Sequence, residues 1–125
     1  MEEEFIAAYI MAALWSSTDD NGEPLDSNYD ESDLAPETYE TMRADCQEFF
    51  TANESAVLCD GGPTGHDGSS QPEMAGHDFW LTRCGHGAGF WDGNWPEPHA
   101  KQLDAAARAF GDVWLYVGDD GKIYA

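Results

Sequence analysis

The sequence predicts an α+β fold, with N-terminal helices packed on a small antiparallel sheet of three or four strands and one further helix. Apolar residues recur at helical spacing near the N-terminus, whereas short aromatic and β-branched runs dominate the second half. Segments rich in glycine and proline separate these elements. An order of helices followed by strands is typical of the α+β class.

The first predicted element is a helix over residues 2–17. Its apolar positions form one stripe, made of Phe5, Ile6, Tyr9, Ile10, Ala13 and Leu14. Residues 18–35 are a turn-rich acidic connection. A second helix is predicted from Pro36 to about Asn53, because proline fits the first turn of a helix. Residues 54–59 either prolong this helix or form a short turn.

The next predicted elements are a loop and a pair of strands. Residues 61–75 are rich in glycine and contain two prolines, which predicts a flexible surface loop. Residues 77–84 (HDFWLTRC) combine high β-propensity with alternating side chains, and they are the best strand candidate. Residues 90–91 are predicted to start a second strand paired with it.

The last predicted elements are a helix and a hairpin. Residues 97–110 are rich in alanine and predict a helix that ends at Gly111. Residues 113–117 predict a strand, and Asp119-Asp120-Gly121 predicts a tight turn into a strand over residues 122–124.

The chain of 125 residues fits one domain. We divide it into an acidic helical half (1–60), a flexible loop (61–75) and an aromatic sheet half (76–125). The aromatic residues of the second half are expected in its core. They are Phe79, Trp80, Phe90, Trp91, Trp95 and Trp114.

The charge balance is far from neutral. The chain has 25 Asp and Glu against 5 Lys and Arg, a formal net charge of −20. Residues 1–60 contain 16 of the acids and one base, Arg43. Self-repulsion of this size destabilises a compact state, so we expect a basic partner, bound cations or high salt to offset it. The charge argues against direct binding to nucleic acid or to an anionic membrane, because both require basic patches.

The three cysteines are Cys46, Cys59 and Cys84, and no two have CxxC spacing. An odd number without this spacing favours reduced thiols in a cytosol, with Cys46 and Cys59 in the core. The acidic N-terminus does not resemble a signal peptide, and no apolar run approaches the roughly 20 residues of a membrane span.

The stretch GHDFWLTRCGHGAGFWD (residues 76–92) and the closing YVGDDGKIY (116–124) resemble a family of small, mostly uncharacterised bacteriophage proteins. That family carries a GHDFWLTRNGHGAGFWD-like block and a similar C-terminal hairpin. This chain departs from the pattern at Cys84, where the family block has Asn. The resemblance covers residues 76–124 and implies phage origin, without an activity to transfer. Small acidic phage proteins include inhibitors of host defence that imitate DNA, such as anti-restriction and anti-CRISPR proteins.

Eleven acids within 30 residues are the candidate partner-binding residues. Duplex DNA presents one charge per roughly 1.7 Å of axis, and proteins bind it through Lys and Arg. Arginine pairs with carboxylate much as it pairs with phosphate. We therefore expect a DNA mimic, without cofactor or catalysis, that occupies the basic surface of a defence nuclease or CRISPR effector in the host cytoplasm. A homodimer would span a longer groove. The candidate residues are Asp19, Asp20, Glu23, Asp26, Asp30, Glu31, Asp33, Glu37, Glu40, Asp45 and Glu48.

Other readings remain open. The acids could form a solvated face or reflect adaptation to high salt, and the protein could be a structural or accessory phage protein. A small metal-dependent hydrolase could use His77 and His86 with Asp78 or Asp92, although their spacing matches no standard zinc pattern. Nucleophilic catalysis would need Cys84 near His86, or Ser69 and Ser70 with His66.

Overall fold

The computed structural model describes residues 2–65, 68–85 and 89–125. Four α-helices precede a small antiparallel hairpin. They are α1 (Glu2–Ser16), α2 (Pro36–Val57), α3 (Gln71–Arg83) and α4 (His99–Ala109), followed by strands β1 (Tyr116–Val117) and β2 (Ile123–Tyr124). The α+β class is confirmed in its coarse form, as helices joined to a small sheet.

The helix α1 confirms the first prediction. Its first turn carries Glu2, Glu3 and Glu4, where the positive end of the helix dipole favours carboxylates. The predicted apolar stripe is buried, and this face packs chiefly against α3.

The helix α2 begins at Pro36, as predicted, and runs past the expected end to Val57. The backbone leaves helical geometry at Asn53, with φ −123° and ψ 18°. The side-chain amide of Asn53 donates to the carbonyl of Phe49 at 3.0 Å, and the side-chain amide of Gln102 in α4 donates to the Asn53 Oδ1 at 3.3 Å. These bonds stabilise the backbone at the kink. Beyond the kink the helix continues to Val57.

The predicted strand over residues 77–84 is wrong, because this segment forms most of α3. The helix begins with a capping box in which Ser70 accepts from the Glu73 amide and the Glu73 carboxylate accepts from the Ser70 amide. Pro72 lies in the first turn. The sequence did not show the periodicity of a surface helix, because α3 is buried on nearly all sides and therefore lacks a polar face. The loop before it ends at Ser70 rather than at residue 75.

The sheet has two strands in the described part of the chain, so the predicted three or four is wrong. Residues 90–91 lie in a turn, and residues 113–115 have no regular structure. The hairpin itself is confirmed, with Tyr116 opposite Tyr124 in antiparallel register. Its turn closes at Gly121, which has φ +81°, a conformation that glycine adopts without strain.

The hairpin is attached to the start of α2. The Ala35 amide donates to the carbonyl of Ile123 at 2.9 Å, and Leu34 forms a parallel bridge with Ile123. The helix α4 lies within the predicted range 97–110 and buries Ala100, Leu103 and Ala107. The C-terminal elements therefore join the same core as the N-terminal helices.

Aromatic rings fill the centre of this core. The rings of Phe49 and Phe79 stack with their centroids 4.1 Å apart, and Phe5 packs on both. A β-carbon at Gly76 would lie 2.1 Å from the Phe5 carbonyl oxygen, so only glycine permits this approach of α3 to α1. The close crossing thus fixes the position of α3 against α1.

Candidate functional site

The eleven predicted acids form what we call the acidic segment, which runs from Asp19 to Glu48. It comprises the connection after α1 and the first half of α2. Eight of the eleven are exposed, whereas Asp19, Asp33 and Asp45 are partly buried. The structure divides them into residues that build the segment and residues whose carboxylates are free.

Asp19 organises the first turn of the segment. One of its carboxylate oxygens accepts from the amides of Asn21 at 2.9 Å and Glu23 at 3.0 Å. Glu23 in turn accepts from the side-chain amide of Asn28 at 3.0 Å. These local bonds satisfy backbone donors that would otherwise need water.

Asp30 and Asp33 cap a single turn of 3-10 helix (Glu31–Asp33). Asp30 accepts from the amide of Ser32 at 2.9 Å, while the Asp33 carboxylate accepts from the Asp30 amide at 2.9 Å. The hydrogen bonds from Ser32 hold the pKa of Asp30 below its usual value. The carboxylates of these two residues are therefore used inside the segment.

Asp45 is partly buried and forms an ion pair within the protein. The guanidinium of Arg83 donates to its carboxylate at 2.9 Å. The Arg83 side chain is 4% exposed and the Asp45 side chain 25% exposed. Asp45 thus compensates a buried positive charge and stabilises the packing of α2 against α3.

Six acids of the segment make no side-chain hydrogen bond or ion pair with the described residues. All six are exposed. We call them the free acids, and they are Asp20, Asp26, Glu31, Glu37, Glu40 and Glu48. Three lie on the exposed side of α2 and three on the connection that precedes it, so they belong to one continuous stretch of chain.

Most of the positive charge is neutralised within the protein. Arg43 pairs with Glu3, Arg83 with Asp45, and Arg108 with Asp104. In the described part of the chain, Lys101 and Lys122 form no ion pair. The free acids therefore face solvent without a basic side chain to compensate them.

The candidate metal ligands do not form a cluster in the part of the chain that the structure describes. His77 is about half exposed, and its Nδ1 lies 3.7 Å from the Asp78 carboxylate. Asp78 is buried and accepts from the indole N–H of Trp95 at 2.7 Å. His66 and His86 lie outside the described residues. Across residues 2–65, 68–85 and 89–125, no group of three or more His, Cys, Asp or Glu could hold a metal ion.

Cys84 and Ser70, two of the candidate nucleophiles, form hydrogen bonds within the protein. Cys84 is partly buried, and its thiol donates to the carbonyl of Val113 at 3.6 Å. Burial raises the pKa of Cys84, which opposes formation of the reactive thiolate. Ser70 caps α3. Cys46 and Cys59 are buried free thiols, so their predicted position in the core is confirmed.

The aromatic prediction holds for four residues and fails for two. Phe79, Trp80, Phe90 and Trp95 are buried. Two tryptophans lie on the surface instead, with exposures of 51% for Trp91 and 81% for Trp114. Trp114 alternates with the inward residues Val113 and Leu115, so the period of two could have predicted its exposure.

The block that carries the phage resemblance is largely structural in its described part. Trp80 is fully buried and donates from its indole nitrogen to Ser16 at 2.7 Å. Thr82 accepts from the amide of Phe90 at 3.0 Å. Arg83 stacks its guanidinium over Phe79 and Phe110 at about 5.5 Å and 5.4 Å from the ring centroids. Trp80, Thr82 and Arg83 thus each contribute contacts that stabilise the fold.

Comparisons with known proteins yield no relative of this chain: no family model, curated protein or solved structure matches it significantly. Of the helices in the described residues, none is both long enough and apolar enough to cross a membrane.

Proposed function

We propose that this protein is a phage-encoded acidic DNA mimic, which binds a DNA-binding protein of host defence and inhibits it in the bacterial cytoplasm. The observation that carries the proposal is the set of six free acids. They are exposed, lie within 29 residues of chain and have no internal partner in the described structure.

The frame beneath the free acids supports this function. Asp19, Asp30 and Asp33 spend their carboxylates on local hydrogen bonds, and Asp45 ties α2 to α3. A segment held in this way loses less conformational entropy on binding than a flexible acidic tail would. Some acids of the segment therefore stabilise its backbone or its packing, whereas the free acids give its surface a negative charge.

The chemistry of the free acids matches a DNA-binding groove. Such grooves present Lys and Arg for phosphate contacts, and guanidinium groups bind carboxylates with similar bidentate geometry. The net charge of −20 would also attract a basic protein over a distance and speed the encounter. Both effects weaken as salt screens the charges.

A capture experiment tests the proposal. The protein is immobilised, incubated with a bacterial lysate at low salt and washed with a short DNA duplex. We expect a DNA-binding protein to be captured and then released by the duplex, because DNA and the acids compete for one surface. A captured protein that stays bound in excess duplex, or one without DNA-binding activity, would contradict the proposal.

Matched variants separate the acidic segment from charge in general. The site variant carries Glu31→Gln, Glu40→Gln and Glu48→Gln. The control variant carries Asp60→Asn, Glu97→Gln and Asp119→Asn, which are exposed acids outside the segment. Both lose three negative charges. The proposal requires weaker capture by the site variant than by the control variant.

A further inference from the structure

A groove lies between the end of α1 and the chain that leads into β1. Its volume is about 220 Å³. Pockets for small-molecule ligands usually measure roughly 300–1,000 Å³, so a single side chain fits this groove better than a cofactor does. The residues that line the groove include Ser16, Ser17, Trp80, Asp112, Trp114 and Leu115.

Two tryptophans give the groove its aromatic character. Trp80 is 1% exposed, and its indole N–H is already committed to Ser16. Trp114 is 81% exposed, an unusual state for the largest apolar side chain. Exposed tryptophan at a concave surface is typical of an interaction site, since this residue often dominates binding energy.

The polar groups of the groove are suited to a cation that donates hydrogen bonds. Asp112 is exposed and supplies a carboxylate. Among the described residues, no backbone hydrogen bond uses the carbonyl of Asp112 or Trp114 as its acceptor. The described residues that line the groove include neither Lys nor Arg.

We propose that this groove binds the guanidinium group of an arginine side chain. A guanidinium has five N–H donors and no acceptor, which suits a carboxylate and carbonyl oxygens. Its flat face stacks on indole rings more readily than the compact ammonium of lysine. The net charge of the protein favours such a ligand further.

The inference deepens the proposed function, on which it rests only for the source of the arginine. A DNA-binding surface is rich in arginine, and Trp114 would add an apolar anchor to a contact otherwise made by charge. Because a free arginine derivative can occupy the groove, the site can be tested without the partner.

The test is a titration with N-acetyl-arginine amide, followed by NMR of the indole N–H groups. It is run in 0.5 M NaCl, which screens the general attraction of cations to the protein. We expect the Trp114 and Trp80 signals to shift with a common saturation curve, while the Trp91 signal stays in place. N-acetyl-citrulline amide, the neutral isostere, should bind about tenfold more weakly or not at all.

Variants make the assignment specific. Trp114→Ala should weaken arginine binding about tenfold, and Asp112→Asn should weaken it severalfold. Trp91→Ala and Asp119→Asn change an exposed tryptophan and an exposed acid elsewhere, and they should leave binding unchanged. Trp114→Phe, which keeps an aromatic face, should lie between the parent protein and Trp114→Ala.

Three results would overturn the inference. Equal binding of N-acetyl-leucine amide would identify an apolar site, and equal binding of the citrulline derivative would remove the need for charge. Binding of arginine that survives Trp114→Ala would locate it elsewhere. Failure here with continued duplex-sensitive capture would leave the DNA-mimic proposal standing, whereas the opposite pattern would leave an arginine site without that function.

Discussion

The Arg83 guanidinium donates to the Asp45 carboxylate at 2.9 Å and thereby joins α3 to α2. The same group donates to the hydroxyl of Tyr9 at 3.0 Å and to the carbonyls of Gly111 and Phe110 at 2.7 Å and 3.0 Å. Burial opposes the charge of Arg83, but Tyr9 and Asp45 outweigh it and raise the pKa of this arginine. One side chain thus connects three helices and the chain after α4.

Replacing Arg83 by Met should lower the free energy of unfolding by about 3–5 kcal/mol, because a partly buried carboxylate and two carbonyls lose their donor. Urea denaturation followed by tryptophan fluorescence measures this loss. Arg108→Met is the control, since its pair with Asp104 is exposed and should contribute about 0.5 kcal/mol. Equal losses in the two variants would show that the Arg83 network does not stabilise the fold.

Replacing Asp78 by Ala should cost about 1–3 kcal/mol, because the indole N–H of Trp95 would remain buried without an acceptor. Asp78→Asn keeps an acceptor oxygen and should cost less. Thermal unfolding of both variants checks the order. If Asp78→Ala leaves stability unchanged, the hydrogen bond from Trp95 does not stabilise the fold, and this result would favour a functional role for Asp78 beside His77.

Because the Cys46 thiol is buried, we predict that the free energy of unfolding falls at alkaline pH. Burial raises its pKa in the folded protein, whereas an unfolded thiol titrates near about 8.5. The stabilising contribution is therefore complete below about pH 8.5 and is lost as the pH rises towards the folded pKa. We expect the free energy of unfolding to fall by about 1.4 kcal/mol in total between pH 7.5 and 9.5 for this group, with a slope that steepens as the unfolded thiol ionises.

Urea denaturation between pH 7.5 and 9.5 measures this slope. Cys46→Ala should be less stable overall, because it leaves a cavity, but its stability should fall less steeply with pH. A variant with the same slope as the parent protein would contradict the assignment to Cys46.

Much of the helical frame could be predicted from local signals. The stripe of α1, Pro36 at the start of α2 and the turn at Gly121 each depend on neighbours in the chain. The start of α3 was predictable as well, because Ser70 and Glu73 have capping-box spacing, but the alternation after His77 suggested a strand. A helix buried on nearly all sides shows little polar periodicity in its sequence, and only tertiary packing distinguishes it from a strand.

The candidate site could be predicted only in outline. The sequence located the acids, but their division into structural and free carboxylates depends on folding. Asp45 illustrates this, since its partner Arg83 is 38 residues away. Trp114 was assigned to the core because the prediction followed its aromatic character and not its alternation with Val113 and Leu115.

Added salt should stabilise the folded protein. Most of the 25 acids carry no compensating base, so their repulsion opposes the compact state until ions screen it. The free energy of unfolding in urea should rise between 0.02 and 0.5 M NaCl. The variant with Glu31, Glu40 and Glu48 neutralised should gain less from salt than the parent. Stability that does not change with NaCl would contradict this account of the charge.

The measurement that tests the central claim most directly is the dissociation constant of the captured complex as a function of NaCl concentration. It is made for the parent protein, for the site variant (Glu31→Gln, Glu40→Gln, Glu48→Gln) and for the control variant (Asp60→Asn, Glu97→Gln, Asp119→Asn). We predict affinity that falls steeply with salt, and a shallower dependence for the site variant than for the control variant. A complex that survives 1 M NaCl, or a site variant that binds like the control variant, would contradict the account.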